Sequence, residues 1–407
     1  MSRTPRWWLL APVVSGLIVP AGDVFAATGP VEEKPMPAEA AADTVVPTSR
    51  PFGTLPDGRE ASLYTLAVPG GWQATITDYG AILTSFLVPP PADQPGGEPV
   101  DVVLGFDSLD GYLAGHPYFG AICGRCSNRI AAGRFELAGT TYQLATNNGA
   151  NHLHGGVIGF DKQLWQATPR ATERGPAVEF ELVSPAGDEG YPGRLVARAV
   201  YTLTPVGELL IEMSATSDEP TIVNMVHHSY WNLAGQDSGS IKDHELAIEA
   251  DRYLPVDAGS IPTGAFAAVA GTSFDFRPER DPPARCGGAI ETLPPNPPPG
   301  APRGVDHAYV LRGWQPDGEL RRAALLRDPA SGRTLEVLTD QPSIQVYMGN
   351  FLDGTLTGKG GTVYGPNAAI CLETQKFPDS IHHPDWPSVR LDPGQTYRHR
   401  MVHRFSR

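Results

Sequence analysis

The sequence has few cysteines, a minority of positive charges and no long apolar run beyond its N-terminus. Its four cysteines are too few for the disulfide scaffold of a small secreted domain. Asp and Glu outnumber Lys and Arg by 45 to 31, for a formal net charge of −14. An acidic surface argues against nucleic acid or an anionic membrane as a partner. After the first 26 residues, no segment of the sequence resembles a membrane span.

Long amphipathic helical patterns are also scarce, and short strand patterns take their place. Apolar and polar residues alternate in runs that Gly, Pro, Asn and Asp interrupt, and no repeat of fixed period is present. This pattern predicts an all-β chain whose residues 51–407 form one large antiparallel β-sandwich. Strands are predicted at Gln73–Tyr79, Val102–Phe106, Arg134–Leu144, Ala177–Val183, Leu195–Leu203, Leu209–Ala215, Leu335–Thr339 and Ser343–Met348.

The first 26 residues have the pattern of an export signal. Arg3 and Arg6 give a positive start, Trp7–Pro20 is apolar, and Val24-Phe25-Ala26 is a small-residue cleavage site. Residues 27–50 are rich in Ala, Pro and Glu, which predicts a disordered spacer. We therefore expect an exported protein, periplasmic or secreted, without a membrane span once the signal is cleaved. An uncleaved N-terminal anchor is the alternative.

Two of the cysteines, Cys123 and Cys126, form the sequence C-G-R-C. The pair could be a redox centre, half of a zinc site or a structural disulfide. Zinc would need a second pair, and Cys286 and Cys371 are isolated. A thioredoxin-type motif would open a helix, whereas Asn128-Arg129-Ile130 leads into a strand pattern. In an exported protein the pair could instead form a small disulfide.

The segment Asn224–Leu233, NMVHHSYWNL, holds two histidines among aromatic and amide side chains. Imidazole exchanges protons near neutral pH, aromatic rings stack on sugar rings, and amides bind hydroxyl groups. The segment therefore indicates a carbohydrate site that contains an acid. In a strand, successive side chains face opposite ways, so His227 and His228 would not share a pocket, while His228 and Tyr230 would.

Two loop motifs add further candidates. Asn128-Arg129 offers a guanidinium fork that can hold neighbouring hydroxyls, although a lone Arg is more often a surface or ion-pair residue. Asn147–Gly156, NNGANHLHGG, places two histidines in a tight loop. Neither His-x-His nor the residues around it complete a zinc ligand set.

Three more polar residues stand out in strand-like surroundings. Asp275 lies between two phenylalanines and next to Arg277, with which it could form an ion pair. Gln345 would share a strand face with Tyr347 and would need a partner if buried. Glu373 follows an apolar run, and burial would raise its pKa and make it a stronger base than a solvated carboxylate.

The order of these motifs resembles the aldose 1-epimerase family, the galactose mutarotase type. The motifs are GR-x-x-NRI-x-x-G-x-F, N-x-LHGG, HSYWNL, FDFR, Q-x-Y-x-GNF and LETQ-x-x-PD. The resemblance runs from about Phe52 to the C-terminus. It implies a large antiparallel β-sandwich, the supersandwich of that family. It also implies interconversion of the α and β anomers of free hexoses such as galactose and glucose.

The resemblance also implies roles for individual residues. Glu373 would be the general base that takes the C1 hydroxyl proton, and His228 the general acid that protonates the ring oxygen. The sugar would be bound by Asn128, Arg129, His154, Tyr230, Asp275 and Gln345. His152 has no assigned role. No cofactor or metal is implied, the partner is a small-molecule aldose, and we expect a monomer or weak dimer.

Three alternatives stay open. A hexose-6-phosphate 1-epimerase would call for additional Arg or Lys around the site. A glycosidase would need two carboxylates that flank the scissile bond, for which Glu373 and Asp275 could be proposed. A non-catalytic sugar-binding module on the same fold would lose the acid or the base, yet both His228 and Glu373 are present. The C-G-R-C pair and Trp231 depart from the usual family pattern.

Overall fold

Two large antiparallel sheets bury the apolar strand faces that the alternating pattern predicts, which confirms the all-β sandwich. The computed structural model describes residues 45–91, 96–294 and 302–407. The predicted export signal and most of the predicted spacer lie outside these residues. All of the described residues belong to one compact unit.

The described residues form an eight-stranded, a six-stranded and a five-stranded sheet. The eight-stranded sheet runs in the order Gln166–Thr172, Gly175–Ser184, Leu195–Leu203, Glu208–Ser217, Tyr397–Ser406, Thr334–Thr339, Arg321–Arg327 and Glu245–Ile248. The six-stranded sheet runs Tyr230–Trp231, Ile370–Gln375, Ser343–Tyr347, Asp306–Leu311, Ala250–Tyr253 and Ala267–Ala268. The five-stranded sheet runs Thr48–Thr54, Glu60–Ala67, Gln73–Thr77, Ile82–Val88 and Val100–Asp101.

Short strand pairs and helices connect these sheets. The pairs are Arg129–Ile130 with His152–Leu153, Arg134–Leu137 with Thr140–Gln143, Ala121–Cys123 with Val226–His228, Thr221–Ile222 with Arg390–Leu391, and Leu356–Thr357 with Val363–Tyr364. The α-helices are Leu109–Leu113 and Cys286–Thr292; the 3₁₀ turns are Ala131–Gly133, Phe160–Lys162, Asp188–Gly190, Ile241–Asp243, Lys359–Gly361 and Ser380–His382. Within the described ranges, no helix has the length and apolar character needed to cross a membrane.

One apolar core joins the three sheets. Phe180 from the eight-stranded sheet, Leu372 from the six-stranded sheet and Phe86 from the five-stranded sheet belong to the same buried cluster. The strands Ser343–Tyr347 and Ile370–Gln375 are buried on both faces. Because one face packs in the core, the polar residues of the other face are held in a rigid, water-poor setting.

Three predictions differ from the structure by more than a shift of one or two residues at a strand end. The first sheet begins at Thr48 rather than residue 51, and the exposed side chains of Thr48–Arg50 explain why composition does not reveal it. The predicted strand Arg134–Leu144 is a hairpin, since Ala138 and Gly139 have φ of 51° and 80° and form a tight turn.

The predicted strand Val102–Phe106 is also absent as such, and only Val100–Asp101 pairs as a strand there. Its backbone bonds are isolated ones, such as those from Leu104 N to Tyr230 O at 3.0 Å and from Asn232 N to Val102 O at 2.9 Å, and a side chain contributes further bonds. Oδ1 of Asp101 accepts the backbone N–H groups of Phe86 and Val103 at 3.1 and 3.2 Å. The carboxylate thus adds to the backbone hydrogen bonds of this segment, in which Val103 forms an isolated antiparallel bridge with Trp231.

Each of the four cysteines is a buried free thiol. Cys123 ends the strand Ala121–Cys123, whereas Cys126 packs in a separate apolar cluster with Ile130 and Ile222. Burial raises the pKa of Cys126 to about 12. The structure therefore shows neither the disulfide nor an activated redox thiol at C-G-R-C.

Candidate active site

His228 and Glu373 face each other, with His228 Nε2 3.4 Å from Glu373 Oε1. The histidine ends the strand Val226–His228, and the glutamate lies on Ile370–Gln375. Their side chains are 5 % and 2 % exposed. His228 Nδ1 and Glu373 Oε2 have no hydrogen-bond partner among the described residues. The two groups are close enough to exchange a proton after a small movement.

Burial opposes charge on both members of this pair. It raises the pKa of Glu373 well above its usual value, the negative charge of Asp306 raises it further, and the guanidinium of Arg129 lowers it. Burial also lowers the pKa of His228 to about 4. Between the lowered pKa of His228 and the raised pKa of Glu373 the two groups together hold one proton, and their titration belongs to the pair rather than to either residue.

His154 completes the centre of the site, with its ring centroid 5.2 Å from that of His228. The backbone N–H of Asn128 donates to His154 Nδ1 at 3.2 Å, and the N–H of His154 donates to Asn128 O at 3.0 Å. The first bond makes Nδ1 an acceptor and leaves Nε2 to carry the proton of the neutral ring. Burial lowers the pKa of His154 well below its usual value, so the neutral ring presents a hydrogen-bond donor.

The loop that carries His154 needs its glycine. His154 and Asn128 have φ of 48° and 54°, and Gly155 follows with φ of 90°. A Cβ at Gly155 would lie 1.7 Å from the carbonyl oxygen of Gly124. The LHGG motif is therefore explained by the close approach of this loop to the chain before Asn128.

Arg129, Gln345 and Asn128 line an open surface pocket, of which His228 and Glu373 are not lining residues. Gln345 lies directly opposite Glu373 in the six-stranded sheet. Arg129 donates from Nε to Asn148 Oδ1 at 3.0 Å, which fixes the direction of its guanidinium. The pocket thus presents amide and guanidinium donors next to a base, an arrangement suited to a polyhydroxylated ligand.

Asp306 also lines this pocket, and it is a site residue that sequence reasoning missed. Its Oδ1 accepts from Gln345 Nε2 at 2.7 Å. Asp306 begins the strand Asp306–Leu311, in which Ala308 lies opposite Gln345. The available signal was the alternation of VDHAYV, which puts Asp306 and Ala308 on one strand face.

Asp275 does not join the group. Its carboxylate is held by Arg277, whose Nε and Nη2 donate at 2.9 Å each. The neighbouring ring of Phe274 packs on Tyr253 and lies 4.7 Å from His307. Because His307 alternates with Asp306 along its strand, this Phe274 contact is on the face turned away from the pocket, and Asp275 is not among the residues that line the pocket. The local ion pair considered from the sequence is the arrangement that the structure shows.

Two tyrosine rings hold His228. Tyr230 stacks on it with centroids 5.2 Å apart and planes at 21°. The Tyr230 hydroxyl donates to Pro117 O at 2.9 Å, so the ring, rather than the hydroxyl, faces the site. Tyr118, which sequence reasoning also missed, lies 5.8 Å from His228 and 4.4 Å from His154.

The remaining histidines of these motifs have structural partners. His227 points away from the site, as strand alternation predicts, and lies 2.7 Å from Ser229 Oγ and 3.2 Å from the Tyr201 hydroxyl. NMVHHSYWNL is nonetheless two strands, Val226–His228 and Tyr230–Trp231, with Ser229 between them. His152 bonds Ala145 O at 2.8 Å and the Tyr191 hydroxyl at 2.6 Å.

His154, His228 and Glu373 are also the described residues that could hold a metal ion. Their potential ligand atoms lie within 4.8 Å of one another. Two imidazoles and a carboxylate form a ligand set that zinc accepts. The same three groups can act directly in proton transfer, so the set serves either chemistry.

Comparison with known proteins shows which family this chain is similar to. A family model described as Aldose 1-epimerase matches residues 62–404. Galactose mutarotase from Bos taurus is 46 % identical over 355 residues, which cover 87 % of this chain and 97 % of that protein. Aldose 1-epimerase from Escherichia coli is 38 % identical over 84 % of this chain and 94 % of its own. A solved GalM/aldose epimerase homologue from C. elegans superposes with a TM-score of 0.74 at 30 % identity, covering 84 % of this chain and 98 % of its own.

Proposed function

The chain belongs to the aldose 1-epimerase family, and we propose that it interconverts the α and β anomers of free hexoses such as galactose and glucose through Glu373 and His228. It is an isomerase of the mutarotase type. The observation that carries the proposed residue roles is the buried contact of 3.4 Å between Glu373 Oε1 and His228 Nε2. A base and an acid in contact can serve the two ends of one hemiacetal, its C1 hydroxyl and its ring oxygen.

The proposed reaction moves two protons and leaves the enzyme unchanged. The Glu373 carboxylate takes the proton of the C1 hydroxyl, the electron pair of that O–H bond forms the C1=O bond, and the C1–O5 bond breaks. Protonated His228 gives its proton to O5. After rotation about C1–C2, His228 removes the O5 proton, O5 attacks the other face of C1, and Glu373 returns its proton to O1.

The position of the shared proton distinguishes two states of the enzyme. The cyclic sugar requires ionised Glu373 and protonated His228, whereas the open-chain sugar meets protonated Glu373 and neutral His228. Burial favours the second state in the free protein, because it raises the pKa of Glu373 and lowers that of His228. Attraction between opposite charges in contact, about 5 kcal/mol at an effective dielectric constant of about 20, offsets part of the cost of the first state.

Sugar binding is proposed for the polar residues around this pair. Arg129 and neutral His154 donate to ring oxygen or hydroxyl groups, with Asn128 holding His154 in place. Gln345 and Asp306 form a donor–acceptor pair for hydroxyls farther along the pocket wall. Asp306 takes the binding role that the sequence motif suggests for Asp275. The ring of Tyr230 supports His228 through stacking.

Polarimetry of freshly dissolved α-D-galactose or α-D-glucose tests the function. We expect the purified protein to accelerate mutarotation well above the buffer rate, and to do so after dialysis against EDTA. Folded protein without any acceleration would refute the proposed activity. Loss of activity with EDTA, and recovery on adding zinc, would instead indicate a metal on His154, His228 and Glu373. Cleavage of a galactoside with a blocked C1 hydroxyl would favour a glycosidase.

We also propose export and a monomeric or weakly dimeric state. Export is supported by Arg3, Arg6 and the apolar stretch Trp7–Pro20, followed by a small-residue cleavage site at Ala26. N-terminal sequencing of protein from fractionated cells is expected to begin at Ala27. A start at Met1 would contradict signal cleavage. Size-exclusion chromatography over a range of concentrations tests the oligomeric state.

A further inference from the structure

A buried hydroxyl follows the proposed base along the chain. Thr374 is the next residue after Glu373 on the strand Ile370–Gln375, and alternation turns it toward the core. Its Oγ1 lies 2.8 Å from Nε2 of His399. His399 belongs to Tyr397–Ser406, a strand of the eight-stranded sheet. The strand that carries the base is therefore bonded across the interior to the opposite sheet.

The second ring nitrogen of His399 bonds another segment. Its Nδ1 lies 3.1 Å from the carbonyl oxygen of Met225. That oxygen can only accept, so Nδ1 carries the proton, Nε2 accepts, and the Thr374 hydroxyl donates to it. Burial lowers the pKa of His399 to about 4. The neutral ring that this arrangement requires is therefore the form present near neutral pH.

Met225 immediately precedes the strand Val226–His228, which ends in the proposed acid. Tyr397, two residues before His399, contributes further bonds to the same residue. Its hydroxyl lies 3.1 Å from Met225 N and 3.3 Å from Met225 O. The strand Tyr397–Ser406 thus fixes both backbone polar groups at the start of the segment that carries His228.

We infer that His399 is a positioning residue for the acid–base pair: it joins Thr374, beside the base, to Met225, on the segment of the acid, and so sets the separation of Glu373 and His228. The inference rests on the catalytic roles proposed above. His399 touches neither Glu373 nor the sugar pocket, so its effect must pass through the residues that its ring nitrogens contact: Thr374, Met225 and the Tyr397 hydroxyl, which lies 3.4 Å from Nδ1. Displacement of a proton donor by about 1 Å can reduce a rate by about a hundredfold.

His403 supplies a matched control. It lies four residues beyond His399 on the same strand and, like it, is completely buried. Its ring packs 5.0 Å from Trp231 and 5.7 Å from His227. Neither of its ring nitrogens has a hydrogen-bond partner among the described residues. Replacement of His403 by Phe therefore perturbs the same core layer without removing a link between the two catalytic strands.

The test compares Thr374→Val, Thr374→Ser, His399→Phe and His403→Phe in the full chain. Thr374→Val keeps the shape and removes the hydroxyl, and we expect kcat to fall by about tenfold or more with KM within about twofold. His399→Phe is expected to behave in the same way. Thr374→Ser keeps the donor and is expected to recover most of the wild-type kcat, while His403→Phe retains it.

Rates are measured well below the melting temperature of each variant, so that lost stability is not read as lost catalysis. A folded Thr374→Val enzyme with wild-type kcat would overturn the inference, as would a Thr374→Ser enzyme no faster than Thr374→Val. If His399→Phe does not fold, the two Thr374 variants decide the matter. Absence of activity in the wild-type protein would refute the proposed function instead, so the two failures are distinguishable.

Discussion

Asp306 accepts a hydrogen bond of 2.7 Å from Gln345, whose position in the sheet is directly opposite Glu373. This contact brings a second carboxylate to the acid–base pair, and its charge raises the pKa of Glu373. The bond uses one Gln345 donor and leaves Asp306 with further lone pairs for a ligand. Asp306 can therefore influence both substrate binding and proton transfer.

The first prediction contrasts Asp306 with Asp275. We expect Asp306→Asn to raise KM by about 10- to 100-fold, which corresponds to the roughly 1.5–3 kcal/mol of a hydrogen bond to a charged group. Asp275→Asn should leave KM within about twofold. Its only expected cost is at most about 1 kcal/mol of stability, because the Asp275–Arg277 pair is partly solvated.

Steady-state polarimetry over a range of galactose concentrations measures both KM values. Urea unfolding of the two variants provides the stability control. If Asp275→Asn raised KM and Asp306→Asn did not, the binding role would return to the FDFR motif. Equal effects of both variants on stability, without any change in KM, would exclude both carboxylates from sugar binding.

His228 and Glu373 can be identified from local sequence features, whereas Asp306 cannot. Alternation within one segment separates His227 from His228, and an apolar run identifies Glu373 as buried. These features are local. Asp306 belongs to the site only because its strand pairs with that of Gln345, in a register that places Ala308 opposite Gln345. Pairing of distant strands is not encoded in either segment alone.

The same distinction applies to Asp275. A carboxylate between two phenylalanines is conspicuous in the sequence, but Arg277 two residues later binds it locally. Likewise, Val102–Phe106 has the composition of a strand, yet its pairing is limited to the isolated bridge of Val103 with Trp231, and the N–H of Val103 donates to Asp101 Oδ1. In both places a side chain bonds a residue only two positions away, which the apolar–polar pattern does not reveal.

The second prediction concerns the acid–base pair itself. Glu373→Gln and His228→Asn should each reduce kcat by about 10²–10⁴-fold, since each removes one proton-transfer partner. Polarimetry measures the rate, and thermal unfolding shows that the variants are folded. Because burial raises the pKa of Glu373, the unfolded chain loses this proton at a lower pH than the folded chain does. The free energy of unfolding therefore falls as the pH rises above the pKa of the unfolded residue. Glu373→Gln is therefore expected to be at least as stable as the wild type at pH 7.

If the Glu373→Gln variant lost stability as well as rate, the lower rate would indicate misfolding. A folded Glu373→Gln variant with the wild-type rate would remove Glu373 from the reaction. For His228, a folded and active Asn variant would leave His154 as the remaining imidazole close enough to the carboxylate to donate a proton.

The third prediction is the pH dependence of kcat/KM. The pair is active while it holds one proton. As the pH falls through about 4, His228 becomes protonated while Glu373 is already protonated, so no base remains. As the pH rises through the raised pKa of Glu373, the last proton is lost and no acid remains. A bell-shaped profile is expected.

Asp306→Asn should move only the alkaline limb of that profile, and toward lower pH. The negative charge of Asp306 raises the pKa of Glu373, so its removal lets Glu373 lose its proton earlier. The acid limb depends on the burial of His228 and should not move. An alkaline limb that stays in place, or moves upward, would contradict the electrostatic role of Asp306.

The last prediction concerns stability in acid, to which buried histidines contribute. Burial lowers the pKa of His228 and His399 to about 4 and that of His403 to about 3. Below pH 6.5 the unfolded chain binds protons that the folded chain does not, so the free energy of unfolding falls as the pH falls. Each pKa unit corresponds to about 1.4 kcal/mol, and the total loss between pH 6.5 and 4 should be several kcal/mol.

His403→Phe removes one of these titrating groups without breaking a hydrogen bond, because this ring has no hydrogen-bond partner among the described residues. Between pH 7 and pH 5 the variant should lose about 2 kcal/mol less than the wild type in free energy of unfolding. Urea titrations at the two pH values measure this difference directly. Equal losses in both proteins would mean that the ring of His403 is protonated in the folded state at pH 5. The packing of this ring against Trp231 and His227 would then have to tolerate a positive charge.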